Sequence, residues 1–187
     1  SGTVAYAKGP ALFSGDAIKI TIKGQNAHGS TPEKGIDAIN IAAHTVIALQ
    51  EIIARETSCM DNSVVLVGKI YGGDTVNTLA GNAVLEVSVR ATTQDNREFL
   101  IKRIREIAES VAGTFRGEAI VEHQYGMGPL YNDPALSDDM AGYCEELLGE
   151  GTTFRIPLAV GTEDFTSIAS RVPSVMLNLG MGSKDEG

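Results

Sequence analysis

With 187 residues, 43% of them hydrophobic and 21% charged, the chain has the make-up of a globular protein, either one good-sized domain or a small domain plus part of another, which excludes disorder. Fifteen basic residues against twenty-four acidic ones leave a net charge of -9, a poor basis for holding a phosphate backbone, so no nucleic-acid partner is expected. No run approaches the roughly 20 apolar residues of a membrane span, and Cys59 and Cys144 lie far apart without a Cys-x-x-Cys pair, so no membrane partner is expected and a reducing cytoplasm fits.

Residues 1–15, rich in Gly, Ala and Ser and starting without a methionine or a helix cap, read as a lead-in segment. From 16 to 23, Ile18, Ile20 and Ile22 alternate with Lys19, Thr21 and Lys23, the period-two pattern of a strand with one buried face. Residues 24–35 (GQNAHGSTPEKG) form a polar, turn-rich loop centred on His28. Gly24 and Gly29 admit backbone angles closed to other residues and Pro32 fixes one torsion, so the loop has a defined shape that can aim its histidine; the alternative is a surface turn with a solvated histidine. Ile36, Ile39, Ala43, Val46, Ile47 and Ile53 then recur at three- and four-residue steps, predicting a helix of about five turns with that stripe inward. His44 within it reads as a helix histidine rather than a ligand.

A valine-rich strand is predicted at 63–70, broken by Tyr71-Gly72-Gly73-Asp74, and an alternating one at 83–90, with a connection too long for a minimal hairpin between them. A helix over about 96–115 puts Phe99, Ile104, Ile107, Ala108 and Val111 inward, and a fourth strand follows at 119–125. Strand, helix, strand, strand, helix, strand is the order of an α+β fold, the split βαβ or ferredoxin-like sandwich: a four-stranded antiparallel sheet with two helices on one face, spanning residues 16–126. From 127 the pattern changes. A linker at 127–134 leads to a helix over 136–148, a short strand within 157–165 that runs into a turn, a short helix at 166–170, a strand at 174–179 and a glycine-rich tail. So few elements cannot bury a core of any size, and residues 127–187 read as an incomplete α/β segment of something larger.

Four motifs in series carry a resemblance. Gly24-x-x-Ala27-His28-Gly29-x-x-Pro32-x-x-Gly35-x-Asp37-Ala38, then Gly72-Gly73 with Asn77, then Val89-Arg90, then Gly161-Thr162-Glu163-Asp164-Phe165 resemble the metal-dependent amidohydrolase family of aminoacylases, hippurate hydrolases, auxin-conjugate hydrolases and carboxypeptidase G. The resemblance implies a catalytic domain with two divalent metal ions (zinc, manganese or cobalt) and an inserted split βαβ lid that forms a homodimer by joining sheet edges. Residues 16–126 would be the lid and 127–187 part of the catalytic domain. It further implies that His28 is catalytic, reaching a partner subunit's site to stabilise the oxyanion. Asn77 would face the substrate, Arg90 would hold a substrate carboxylate, and Gly161 and Thr162 would supply donors to that carboxylate. Glu163 and Asp164 beside them would, on the same resemblance, support the site from behind or be structural rather than bind a metal, and their role stays open.

Zinc chemistry of this kind needs three or more His, Cys, Asp or Glu ligands per metal and a general-base glutamate. The family takes these from segments before the lid and from a histidine near the C-terminus. Neither segment is within these residues, and His44 and His123 stand alone with no paired carboxylate motif. The chain is therefore expected to bind no metal and to be inactive by itself, as the lid and dimerisation part of an enzyme that cleaves N-acyl amino acids or small peptides. The alternative is a stand-alone dimerisation or small-molecule-binding module; a nucleic-acid-binding sandwich is more distant, because the strands carry no stacking aromatics.

Overall fold

The computed structural model describes residues 2–182; Ser1 of the lead-in segment and 183–187 of the tail lie outside the described residues. In chain order the elements are β1 (Thr3–Tyr6), β2 (Gly9–Leu12), β3 (Gly15–Lys23), β4 (Ala27–His28), a 3-10 turn (Pro32–Lys34) and α1 (Ala38–Glu51), which widens into a π turn (Ile52–Glu56). Next come β5 (Ser63–Gly72), β6 (Thr78–Leu79), β7 (Asn82–Ala91), α2 (Gln94–Thr114) and β8 (Glu118–Met127). The last are β9 (Leu130–Asn132), α3 (Pro134–Leu148), β10 (Thr153–Arg155), α4 (Thr166–Ala169) and β11 (Leu177–Gly180). Contacts divide the chain into two compact units, residues 15–126 and residues 1–14 with 127–187. No helix among the described residues is long and apolar enough to cross a membrane.

In the 15–126 unit the sheet order is β5-β7-β3-β8, the antiparallel split βαβ arrangement expected from the element order. Alternation sends Ile18, Ile20 and Ile22 of β3 and Leu85, Val87 and Val89 of β7 to one face, where they meet Ile41, Leu49 and Ile52 from the first helix and Leu100 and Ile104 from α2. The edge strand β5 shifts register between Val67 and Lys69, where Gly68 is the extra residue of a bulge. Asp37 caps α1 by accepting the N–H groups of Ile39 and Asn40 at 3.0 and 3.2 Å, and Thr93 caps α2 through Asn96.

The buried face of α1 corrects the stripe expected from sequence. Ala38, Ile41, Ala42, Thr45 and Leu49 face the sheet, whereas Ile39 is 45% and Ile47 70% exposed. Both stripes have helical spacing. The one with Ala38 and Ala42 lets the helix lie close to the strands, and the Thr45 hydroxyl is satisfied by donating to the Ile41 carbonyl at 2.9 Å. An apolar outer stripe is left over.

At the end of the helical layer Arg103 of α2 grips Glu56 of the π turn with two donors, at 2.6 and 2.8 Å, and also pairs with Glu106. These hydrogen bonds hold the Glu56 and Glu106 carboxyls below their ordinary range and the Arg103 guanidinium above its own. A carboxylate depressed in the folded state adds stability above its unfolded pKa of about 4 and loses it as pH falls through the lower folded value. The stability difference between the protein and its Glu56→Gln variant should therefore shrink to nothing as thermal unfolding is followed into acid; a difference constant with pH would exclude the pair as its cause.

The other unit departs further from the sequence reading. The described part of the lead-in, residues 2–14, holds two strands: β1 pairs parallel with β10 and antiparallel with β11, and β2 pairs with β9, which lies inside the expected linker. The expected strand within 157–165 is reduced to a single bridge between Leu12 and Ala159, and β11 starts at Leu177 rather than 174. The core is small, Ala7, Ala11 and Leu130 with Leu12, Ile156, Phe165 and Met176 packed around. Buried Asn132 joins its segments, donating to the carbonyls of Ala7 and Met176 and accepting the Met176 N–H.

Candidate active site

The histidine loop owes its shape to a series of backbone hydrogen bonds. Gly24 N–H donates to the Gly81 carbonyl at 2.9 Å, and Gln25 and Ile36 exchange both bonds at 2.9 Å. Two-residue strands β4 and β6 then pair, Ala27 with Leu79 and His28 with Thr78, and Gly29 N–H reaches the Asn77 carbonyl at 2.8 Å. The glycines supply room rather than unusual torsions, since neither Gly24 nor Gly29 has positive φ. A Cβ on Gly24 would lie 2.2 Å from the Ile36 carbonyl oxygen, and one on Gly29 2.9 Å from that of Asn77. His28 and Asn77, far apart in sequence, are thereby held on adjacent stretches of backbone and exposed. Within the loop the His28 carbonyl takes the Thr31 N–H at 2.9 Å, and His28 Nδ1 lies 2.7 Å from Ser30 Oγ and 3.2 Å from the Ser30 nitrogen.

Arg90 is not part of this cluster. The loop borders the Lys23 and Asn82 end of the β3–β7 ladder, while Arg90 follows Val89, the partner of Asp16 at the other end. Eight residues of strand separate Asn82 from Arg90, about 27 Å at the ordinary rise. Its guanidinium carries a buried nitrogen, Nη1, without a hydrogen-bond partner among the described residues. Such a group is costly unless an anion meets it.

In the other unit Gly161 and Thr162 are half-buried, with the Gly161 N–H on the Ala159 carbonyl at 3.0 Å. Glu163 accepts the Asp164 N–H through its side chain, and the Glu163 and Asp164 carbonyls take the Thr166 and Ser167 N–H groups at 3.3 and 2.9 Å, so both residues belong to the turn that starts α4.

The remaining histidines differ in their surroundings. His44 stacks against Phe115 with ring centroids 4.7 Å apart. His123 does not stand alone, contrary to the sequence reading: its Nε2 lies 2.8 Å from Oδ1 of Asp16, a carboxylate 107 residues away that also takes Arg97 in bidentate fashion. No local motif announces this triplet, because β3, α2 and β8 meet only in the fold. Among the described residues no three His, Cys, Asp or Glu side chains gather where they could hold a metal. Asp16, the carboxylate that meets His123, already has the Arg97 cation on it. The donor set does not fit a metal centre.

A family model described as a peptidase dimerisation domain matches residues 11–115. An N-acetyldiaminopimelate deacetylase of Streptococcus pneumoniae is 34% identical over 174 residues, covering 92% of this chain and 46% of that protein. Two solved structures share the fold. One, described as an aminohydrolase of methicillin-resistant Staphylococcus aureus, has a TM-score of 0.91 at 24% identity over 98% of this chain and 47% of that one. The other, a dinuclear metal-binding peptidase of Bacillus subtilis, has a TM-score of 0.73 at 22% identity over 94% of this chain and 43% of that one. The chain spans about half the length of the curated relatives it matches.

Proposed function

The chain belongs to the peptidase dimerisation-domain family, and from that premise we propose that residues 16–126 are the lid of an amidohydrolase that splits the amide of an N-acyl amino acid or small peptide. Residues 127–187 would be part of its catalytic domain. The observation that carries the reading is the stapled loop, which presents His28 and Asn77 together on a rigid sheet end. The identity to a deacetylase of N-acetylated diaminopimelate supports the reaction class. The described residues do not fit a metal centre, so the two divalent ions of such an enzyme, zinc, manganese or cobalt, would be held outside them. By itself the chain is expected to hydrolyse nothing.

In this reading His28 donates a hydrogen bond to the scissile carbonyl oxygen as that atom gains negative charge. Asn77 beside it orients the substrate. Arg90 meets the substrate carboxylate with its planar fork, which would satisfy the buried Nη1. Gly161 and Thr162 would offer backbone and hydroxyl donors to a substrate carboxylate. The roughly 27 Å between the His28 end and Arg90 exceeds a small substrate, so the two residues would serve one site only if they come from different protomers.

The dimer would use the free edge of β5 together with α1, which packs over β5 and leaves Ile39 and Ile47 exposed. Joining edges continues the sheet and covers those isoleucines. Replacing Ile39 and Ile47 by lysine and glutamate should convert a dimer into a monomer in sedimentation at micromolar concentration. A dimer that survives both substitutions would exclude this surface.

A further inference from the structure

We infer that Ser30 is a positioning residue that fixes His28 as the Nε2–H tautomer, making Nε2 the hydrogen-bond donor of the loop. The contact between His28 Nδ1 and Ser30 Oγ at 2.7 Å is by itself ambiguous, since either atom could carry the hydrogen. The second contact decides it. The Ser30 backbone N–H donates to the same Nδ1 at 3.2 Å, and an amide N–H cannot point at another N–H. Nδ1 is therefore the acceptor, Ser30 Oγ–H is a second donor to it, and the ring proton of the neutral imidazole is on Nε2.

The local chain explains why the geometry is held. His28 is fixed in backbone by its pairing with Thr78, and the Thr31 N–H and hydroxyl both donate to the His28 carbonyl, at 2.9 and 3.3 Å. That turn brings residue 30 back under the ring of residue 28. Nε2 has no hydrogen bond among the described residues, so it stays free for a ligand oxygen. The assignment rests on the proposed role of His28 for its use in catalysis: a neutral imidazole that presents Nε2–H polarises a carbonyl without first taking up a proton. The opposite tautomer would present a lone pair to the developing oxyanion and repel it.

The test is nitrogen-15 NMR of the chain labelled at histidine, recorded at a pH where the imidazoles are neutral, with His28 assigned by its disappearance in His28→Gln. Nε2 is expected at the protonated-nitrogen position and Nδ1 at that of an acceptor. Ser30→Ala removes one of the two donors and should raise the Nδ1–H form about three- to tenfold, the worth of one hydrogen bond, while Ser30→Thr keeps the original pattern. A proton on Nδ1 in the unaltered chain, or an Ser30→Ala spectrum identical to it, would overturn the assignment. None of these outcomes depends on activity, so they stay separate from the failure of His28 as an oxyanion donor, which is read from turnover in the full-length enzyme.

Discussion

Replacing His28 by alanine in the full-length enzyme is expected to lower turnover about a hundredfold or more, the usual cost of one lost oxyanion donor, with bound metal unchanged. The reason lies in where His28 is held. A loop fixed by the backbone bonds of Gly24 to Gly81, Gly29 to Asn77 and Gln25 to Ile36 loses little order when one exposed ring is removed. The effect should therefore fall on the chemical step and not on the fold or on metal content. The same variant allows a sharper test. Arg90→Met should also be poorly active while remaining folded, because it removes a buried nitrogen that has no partner. If His28 and Arg90 meet only across a dimer, mixing inactive His28→Ala and Arg90→Met proteins creates hybrids in which one site receives both native residues. Recovery of activity on mixing is the expected result. Two variants that fail to complement, or a His28→Ala enzyme with unaltered turnover, would remove His28 from a shared site.

Asp16→Ala should destabilise the 15–126 unit by about 3–5 kcal/mol, the cost of breaking a buried ion pair from one side. The Asp16 side chain is fully buried and accepts Arg97 Nε and Nη2 at distances from 2.7 to 3.1 Å, with His123 at 2.8 Å. The carboxylate holds the Arg97 guanidinium above its ordinary pKa through these hydrogen bonds, against the opposing effect of burial. Without Asp16 the cation would sit in the first turn of α2, where the helix dipole disfavours positive charge. Urea unfolding of Asp16→Ala checks the magnitude, and Asp16→Leu with Arg97→Met should recover most of the loss by replacing the pair with apolar groups. A loss below about 1 kcal/mol would place the pair with surface ion pairs, which contribute little.

Much of the 15–126 unit was legible before the structure because its signals are local. Alternation in residues 16–23 and 83–90 and the long amphipathic runs define strands and helices within their own segments, and their order leaves few topologies. The histidine loop was legible for a similar reason, since polar turn residues between a strand and a helix call for a fixed conformation. The face of α1 was not. Two apolar stripes compete along it, and only the sheet, by accepting the one with Ala38 and Ala42, separates the core from the stripe that stays exposed. The strands within residues 2–14 were missed because short, glycine-rich pieces gain their pairing energy from partners more than a hundred residues away.

Sequence alone thus determined the α+β class, the position of the loop and the kind of residue at its centre, all properties carried by neighbours within a few residues. Tertiary structure decided which residues stand together: His28 with Asn77 and Ser30, Arg90 far from both, and His123 with Asp16 and Arg97. Those groupings depend on register along β3 and β7 and on helix placement over the sheet. Register is a relation between distant segments, and no window of sequence contains both of its sides.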